Sequence, residues 1–253
     1  MYFDTHAHYD NPRFDLDRRE LLERLPEQGI SLVLCPGYDM SSSRTVVGLT
    51  EEYPFLYASV GFHPHDSSTM REGDLGRLEA LTRHPKVVAV GEIGLDYHYD
   101  HSPRDVQRLR FREQMDLARR VGLPVIVHQR EAAADTLEIL RDYRDVTGVV
   151  HCFSGSLEVA RELLEAGWYI SFTGVITYQN ARKSHEIIRA IPRERLMLET
   201  DAPYMAPEPF RRQRNSSLYM PQITAAVAEL WGVTLEEAAA ITTENGKRCF
   251  GIK

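Results

Sequence analysis

Short apolar runs that end in a histidine or a carboxylate recur along this chain, and that recurrence constrains its fold more than any other feature. Met1–Thr5 leads into His6-Ala7-His8, and Ser59-Val60-Gly61-Phe62 into His63. Val87-Val88-Ala89-Val90-Gly91 leads into Glu92, Pro124-Val125-Ile126-Val127 into His128, and Gly148-Val149-Val150 into His151. Arg195-Leu196-Met197-Leu198-Glu199-Thr200 leads into Asp201. When strands that end in such residues are arranged around a barrel, the side chains gather at one rim.

The spacing of apolar residues supports that arrangement. Strands are expected near 2–6, 31–35, 56–62, 87–92, 124–128, 147–151, 168–173 and 195–200, each a short β-branched or apolar run bounded by Gly, Pro or polar residues. Amphipathic stretches with apolar residues three and four apart lie between them, including 17–28, 106–121, 131–143, 157–166 and 181–190. Gly29, Gly122 and Gly167 stand where helices should stop. Regular alternation of strand and helix implies a parallel sheet, and eight such units imply an α/β barrel of the TIM (β/α)8 type. Two extra C-terminal helices are expected at about 217–231 and 234–250. With no linker, low-complexity segment or internal repeat, residues 1–253 read as one domain.

Composition bounds the class. Hydrophobic residues make up 43% of the chain and charged residues 26%, so a sizeable core is available and disorder is excluded. The start Met1-Tyr2-Phe3-Asp4 lacks the pattern of a signal peptide, and no apolar run approaches the roughly 20 residues that span a bilayer. A cytoplasmic protein with no membrane partner is expected. Cys35, Cys152 and Cys249 are too few and too irregular for a disulfide framework or a cysteine zinc site, and Cys152 should point away from its strand neighbour His151. A formal charge of −7 argues against a broad basic surface for duplex DNA, so any nucleic acid must be gripped locally.

The candidate chemistry is that of a metal centre. His6 and His8, two residues apart on a strand end, can reach one ion. Glu92 can bridge two ions through its two oxygens, which one imidazole cannot do. His128 and His151 end successive strands and offer nitrogen ligands on the other side of Glu92. Asp201 can coordinate the first ion and take a proton from the attacking water. His63 faces the mouth without being needed as a ligand and is assigned to substrate phosphate or the leaving group. His65, Arg130, Tyr204, Arg211 and Arg214 are candidate substrate contacts by loop position. Asp96 either supports the site from behind the ligands or shapes the loop, and loop shaping is the favoured reading. Glu199 is taken to alternate away from Asp201 and to be structural, and His84, His98, His101 and His185 read as surface residues.

Taken in order, Asp4-Thr5-His6-Ala7-His8, Gly61-Phe62-His63-Pro64-His65, Gly91-Glu92-Ile93-Gly94-Leu95-Asp96-Tyr97, His128, His151-Cys152-Phe153-Ser154-Gly155, Glu199-Thr200-Asp201-Ala202-Pro203-Tyr204 and Asn245-Gly246-Lys247-Arg248-Cys249-Phe250 resemble the successive motifs of the TatD family. The resemblance spans almost the whole chain. It implies a metal-dependent hydrolase of the amidohydrolase superfamily, built on a distorted TIM barrel, with members described as magnesium-dependent deoxyribonucleases. It also implies one metal on His6, His8, Glu92 and Asp201 and a second on Glu92, His128 and His151. Many relatives read Arg-Gly-Lys-Arg-Asn-Glu-Pro where this chain has Arg211-Arg212-Gln213-Arg214-Asn215-Ser216-Ser217, so the acid and the proline are lost from a loop assigned to substrate. The strand before His128 carries no lysine, which excludes the carbamylated-lysine bridge of some related hydrolases and leaves that place to Glu92.

The expected activity is hydrolysis of DNA phosphodiesters, in single strands or at ends, by a water activated between two divalent ions: magnesium, manganese or zinc. An esterase or deacylase acting on a small ester or aminoacyl-tRNA would use the same ligands. A non-catalytic metal-stabilised binding protein would be expected to lack Glu92 or Asp201, and both are present.

Overall fold

A computed structural model describes all residues from Met1 to Lys253. Its eight strands are β1 (Tyr2–Asp4), β2 (Ile30–Pro36), β3 (Leu56–Val60), β4 (Val87–Asp96), β5 (Val125–Arg130), β6 (Gly148–Val150), β7 (Tyr169–Phe172) and β8 (Leu196–Leu198). They pair in parallel in sequence order from β1 to β8. The last gap is closed more loosely: Thr5 N donates to Leu198 O at 3.2 Å, His8 N donates to Ala202 O at 2.7 Å, and Ala7 and Ala202 form a single parallel bridge. The result is a nearly closed TIM-type barrel, as the strand pattern predicts.

The helices are α1 (Arg18–Arg24), α2 (Met40–Glu52), α3 (Asp74–Leu81), α4 (Arg104–Val121), α5 (Ala133–Arg141), α6 (Leu157–Glu165), α7 (Arg182–Ala190), α8 (Met220–Trp231) and α9 (Leu235–Phe250). The helix expected over 17–28 ends at Arg24, because Pro26 cannot donate the next helical hydrogen bond and begins a separate 3-10 turn. Two helices, α2 and α3, stand where the sequence carries little apolar periodicity. The first is held at its start by a capping box, with Asp39 accepting from Ser42 N at 2.6 Å. None of the helices is long and apolar enough to cross a membrane.

The core has two parts. The larger lies between the strands and the surrounding helices. The smaller contains Phe3, Leu34, Val88, Ala89, Ile126, Val149, Tyr169 and Met197 from six strands and β7, together with Cys249, Phe250 and Ile252 from the region of α9. The last helix thus seals the base of the barrel, with Phe3 and Phe250 edge to face at 6.2 Å. Gly246 permits the close approach: a β-carbon there would lie 2.6 Å from the Phe3 ring. Along three strands and the residues just past them, a base residue is followed two positions later by a polar one: Ile126 by the half-buried His128, Val149 by the buried His151, and Met197 by the buried Glu199. Period-two alternation therefore carries each strand from an apolar base to a polar rim.

Candidate metal centre at the rim

Glu92 is the hub. Its carboxylate is 4% exposed, and its two oxygens face different partners. Oε2 lies 3.2 Å from His6 Nε2 and 3.7 Å from His8 Nε2. Oε1 lies 2.9 Å from His151 Nε2, 3.0 Å from His128 Nδ1 and 3.3 Å from His63 Nε2. Asp201 completes the first group, with Oδ1 3.4 Å from His8 Nε2 and 3.8 Å from His6 Nε2. His6 Nε2 and His8 Nε2 are 3.2 Å apart, as are His128 Nδ1 and His151 Nε2. Ligands about 2.1 Å from a shared ion lie roughly 3.0–3.4 Å from one another, and the donors here, 2.9–3.8 Å apart, lie close to that spacing. Neutral imidazoles and carboxylates also suit divalent cations chemically.

Outer carboxylates set the histidine faces. Asp96 Oδ2 accepts from His128 Nε2 at 3.0 Å, which leaves the Nδ1 lone pair turned toward Glu92. Glu199 Oε1 lies 3.3 Å from His151 Nδ1, so His151 Nε2 is the atom left for a ligand role. Glu199 is itself held by Ser171 Oγ at 2.6 Å and Cys152 N at 2.7 Å. A carboxylate behind a histidine fixes both its tautomer and its orientation. Asp96 fills both roles open to it, behind a ligand and in its loop, whereas Glu199 corrects the expectation that it faces away. Residues two apart on a strand share a face, so Glu199 does not alternate away from the site. Asp96 reaches inward because β4 runs four residues past Glu92.

His63 differs from the other histidines. Its Nδ1 accepts from His65 N at 3.1 Å, so the neutral ring carries its proton on Nε2, the atom that faces Glu92 and the mouth. Burial pushes its pKa down to about 3, which keeps the ring neutral at physiological pH. Burial alone would lower His8 too, but the Asp201 and Glu92 carboxylates outweigh it and raise its pKa to about 9. Burial would raise Glu92, and the surrounding imidazoles, His151 foremost, instead hold it well below its usual range. Asp201 is likewise driven up by burial and brought below its ordinary value by His8 and His6.

Around these donors opens a cavity of about 670 Å³. Of the expected substrate contacts, His63, His65, Arg130 and Tyr204 line it. Arg211 and Arg214 do not, which corrects their assignment. Arg214 donates to both oxygens of Asp17, at 2.7 and 2.5 Å, and packs over Phe14, while Arg211 lies 4.2 Å from the Tyr178 ring centroid. A long side chain can reach in either direction from its loop, and a carboxylate within reach took Arg214. Cys152 departs from expectation as well: β6 ends at Val150, Cys152 adopts φ 44°, and it lines a side chamber of about 310 Å³ shared with His128, His151 and Asp201.

Comparison with known proteins agrees with this architecture. A family model described as TatD related DNase matches residues 3–251. The chain belongs to the TatD family. It is 44% identical over 254 residues to the uncharacterized metal-dependent hydrolase YabD of Bacillus subtilis, covering 100% of both chains. It is 35% identical over 256 residues to a protein of Cronobacter turicensis named 3'-5' ssDNA/RNA exonuclease TatD, covering 98% of this chain and 97% of that one. Among solved structures, the TatD homologue YjjV of Escherichia coli superposes with a TM-score of 0.93 at 34% identity, over 100% of this chain and 98% of the other.

Proposed function

We propose that this TatD-family metal-dependent hydrolase cleaves phosphodiester bonds of single-stranded DNA, by attack of water on phosphorus. The observation that carries the proposal is the divided Glu92 carboxylate, with one oxygen toward His6, His8 and Asp201 and the other toward His128 and His151. In this reading Glu92 belongs to both of two metal shells. Divalent cations, if held by these residues, would supply a water of lowered pKa and Lewis-acid stabilisation of the charge that develops on the phosphoryl group.

The chain's own residues do the rest. Asp201, at the rim with its carboxylate 12% exposed, orients the attacking water and accepts its proton. His63 donates its Nε2 hydrogen to a phosphoryl or leaving oxygen, a role its neutral state allows. Arg130, the arginine on the cavity wall, supplies the positive partner that a phosphodiester needs beyond the metals. His65 and Tyr204 contact the flanking substrate. The Cronobacter relative's name, which specifies single-stranded DNA and RNA, supports this substrate class.

The test is hydrolysis of single-stranded DNA by metal-stripped protein resupplied with magnesium, manganese or zinc, with Glu92→Gln as control. Metal-dependent cleavage that falls about a thousandfold in the variant is expected. If both proteins bind metal and neither cuts DNA or RNA, the phosphodiester reading fails and esters, including aminoacyl-tRNA, become the substrates to examine.

A further inference from the structure

Five large hydrophobic side chains remain exposed on this molecule: Met1, Leu16, Tyr99, Leu109 and Tyr204. Only two are aromatic, and both line the cavity over Glu92. They stand on opposite sides of it. Tyr204 packs against His8 at 6.3 Å, on the Oε2 side, while Tyr99 packs against His65 at 5.3 Å, on the side of His63 and His128.

Tyr99 is a built surface. Its ring is 50% exposed, yet it is fixed by a nearly parallel stack on His101 at 5.6 Å and by the Arg130 guanidinium 4.7 Å from its centroid. Its backbone is tied down too: Asp96 Oδ1 accepts from Tyr99 N at 2.8 Å and from His98 N at 3.0 Å, while the other oxygen of the same carboxylate holds His65 and His128. One buried acid therefore sets both a candidate metal-ligand imidazole and the loop that presents the aromatic ring. A half-exposed aromatic ring, immobilised beside a cation at the edge of a phosphate site, has the chemistry of a base-stacking platform.

We propose that Tyr99, backed by His101 and Arg130, is a nucleobase-binding site, which stacks the base of one nucleotide at the cleaved bond while Tyr204 takes the base on the other side. This rests on the nuclease reading and deepens it. Bases splayed onto two separate rings cannot remain paired in a duplex, so the site takes unpaired strands through the geometry of its walls.

The experiment compares wild type, Tyr99→Ala and Tyr99→Phe, each with bound metal. The substrates are two single-stranded oligonucleotides that differ only in one nucleotide beside the cleaved bond, normal in one and abasic in the other. Removal of the base is expected to lower kcat/KM of the wild type about 5- to 100-fold, mostly through KM. Tyr99→Ala should lose the same factor on the normal oligonucleotide and nothing further on the abasic one, and Tyr99→Phe should match wild type. Losses that add, or a Tyr99→Ala protein that cuts the normal strand as well as wild type, would overturn the proposal while leaving the nuclease reading intact. If no protein cuts either oligonucleotide, the nuclease reading fails and this one falls with it.

Discussion

At the base of the barrel, where the chain turns from helix to strand, left-handed backbone is made by glycine: Gly29, Gly122 and Gly167 precede β2, β5 and β7 with φ of 81°, 70° and 88°. At the rim, where strand turns to helix, the same backbone region is occupied by Asp100, Glu131, Cys152, Asp201 and Met205, with φ between 44° and 54°. Every non-glycine residue of positive φ in the molecule lies on a loop after β4, β5, β6 or β8. A side chain in that region costs on the order of 1 kcal/mol or more, a cost glycine avoids. The base turns so as to minimise backbone strain, while the rim accepts it, and three of its five strained residues, Cys152, Asp201 and Met205, line the cavities there. The interiors differ in the same sense, apolar and sealed by α9 below, histidine and carboxylate above.

This contrast can be broken in graded ways. Met197→Ala, at the base, should remove about 2–5 kcal/mol of stability through the cavity it leaves, measured by chemical denaturation, while kcat of the folded fraction stays unchanged. A large fall in kcat would show that the two ends are not separable. Two residues further along the chain, just past the end of the strand, Glu199→Gln should do the converse. Metal affinity, read by calorimetry, is expected to fall about 10- to 100-fold as His151 loses its backing carboxylate.

Protons sharpen the rim side of the comparison. His8 is raised from 6.5 to about 9, so in the metal-free protein its contribution to stability is complete below about pH 6.5 and is lost as pH rises through 9. Metal must displace that proton. Affinity should therefore keep climbing between pH 7 and 9, with close to one proton released per site filled, in buffers of differing ionisation enthalpy. A plateau reached by pH 7 would mean that His8 is already neutral. The smallest effect is expected at the base turn: Gly122→Ala meets no atom within 4 Å, so its cost is backbone alone, about 1 kcal/mol by thermal melt.

What the sequence made legible follows from which signals are local. A strand end is local, and the His6-Ala7-His8 pair, Glu92, His128, His151 and Asp201 were all placed by reading apolar runs to their last residue. Strand parity is local too, and applied strictly it would have recovered Glu199, two residues from both Met197 and Asp201. The inward reach of Asp96 and the position of Tyr99 were harder to read for another reason. The strand bearing Glu92 continues through Gly94, whose hydrogen approaches the backbone of His128 so closely that a β-carbon would sit 2.0 Å from its carbonyl oxygen, and no periodicity announces such a continuation. The partner of Arg214 is Asp17, close to the other end of the sequence, and only the closure of β8 onto β1 brings them together. The start of α2, Met40-Ser41-Ser42-Ser43, offers capping chemistry and almost no apolar stripe.

The plug formed by α9 also orders events in time. Phe3 lies on the first strand and Phe250 on the last helix, yet each packs against the other inside the barrel. A tethered nascent chain can form its strands and outer helices, but the barrel floor stays open until residues 249–252 emerge. Completion of this core therefore waits on residues 249–252, and contacts of such long sequence separation are the kind that form late in folding.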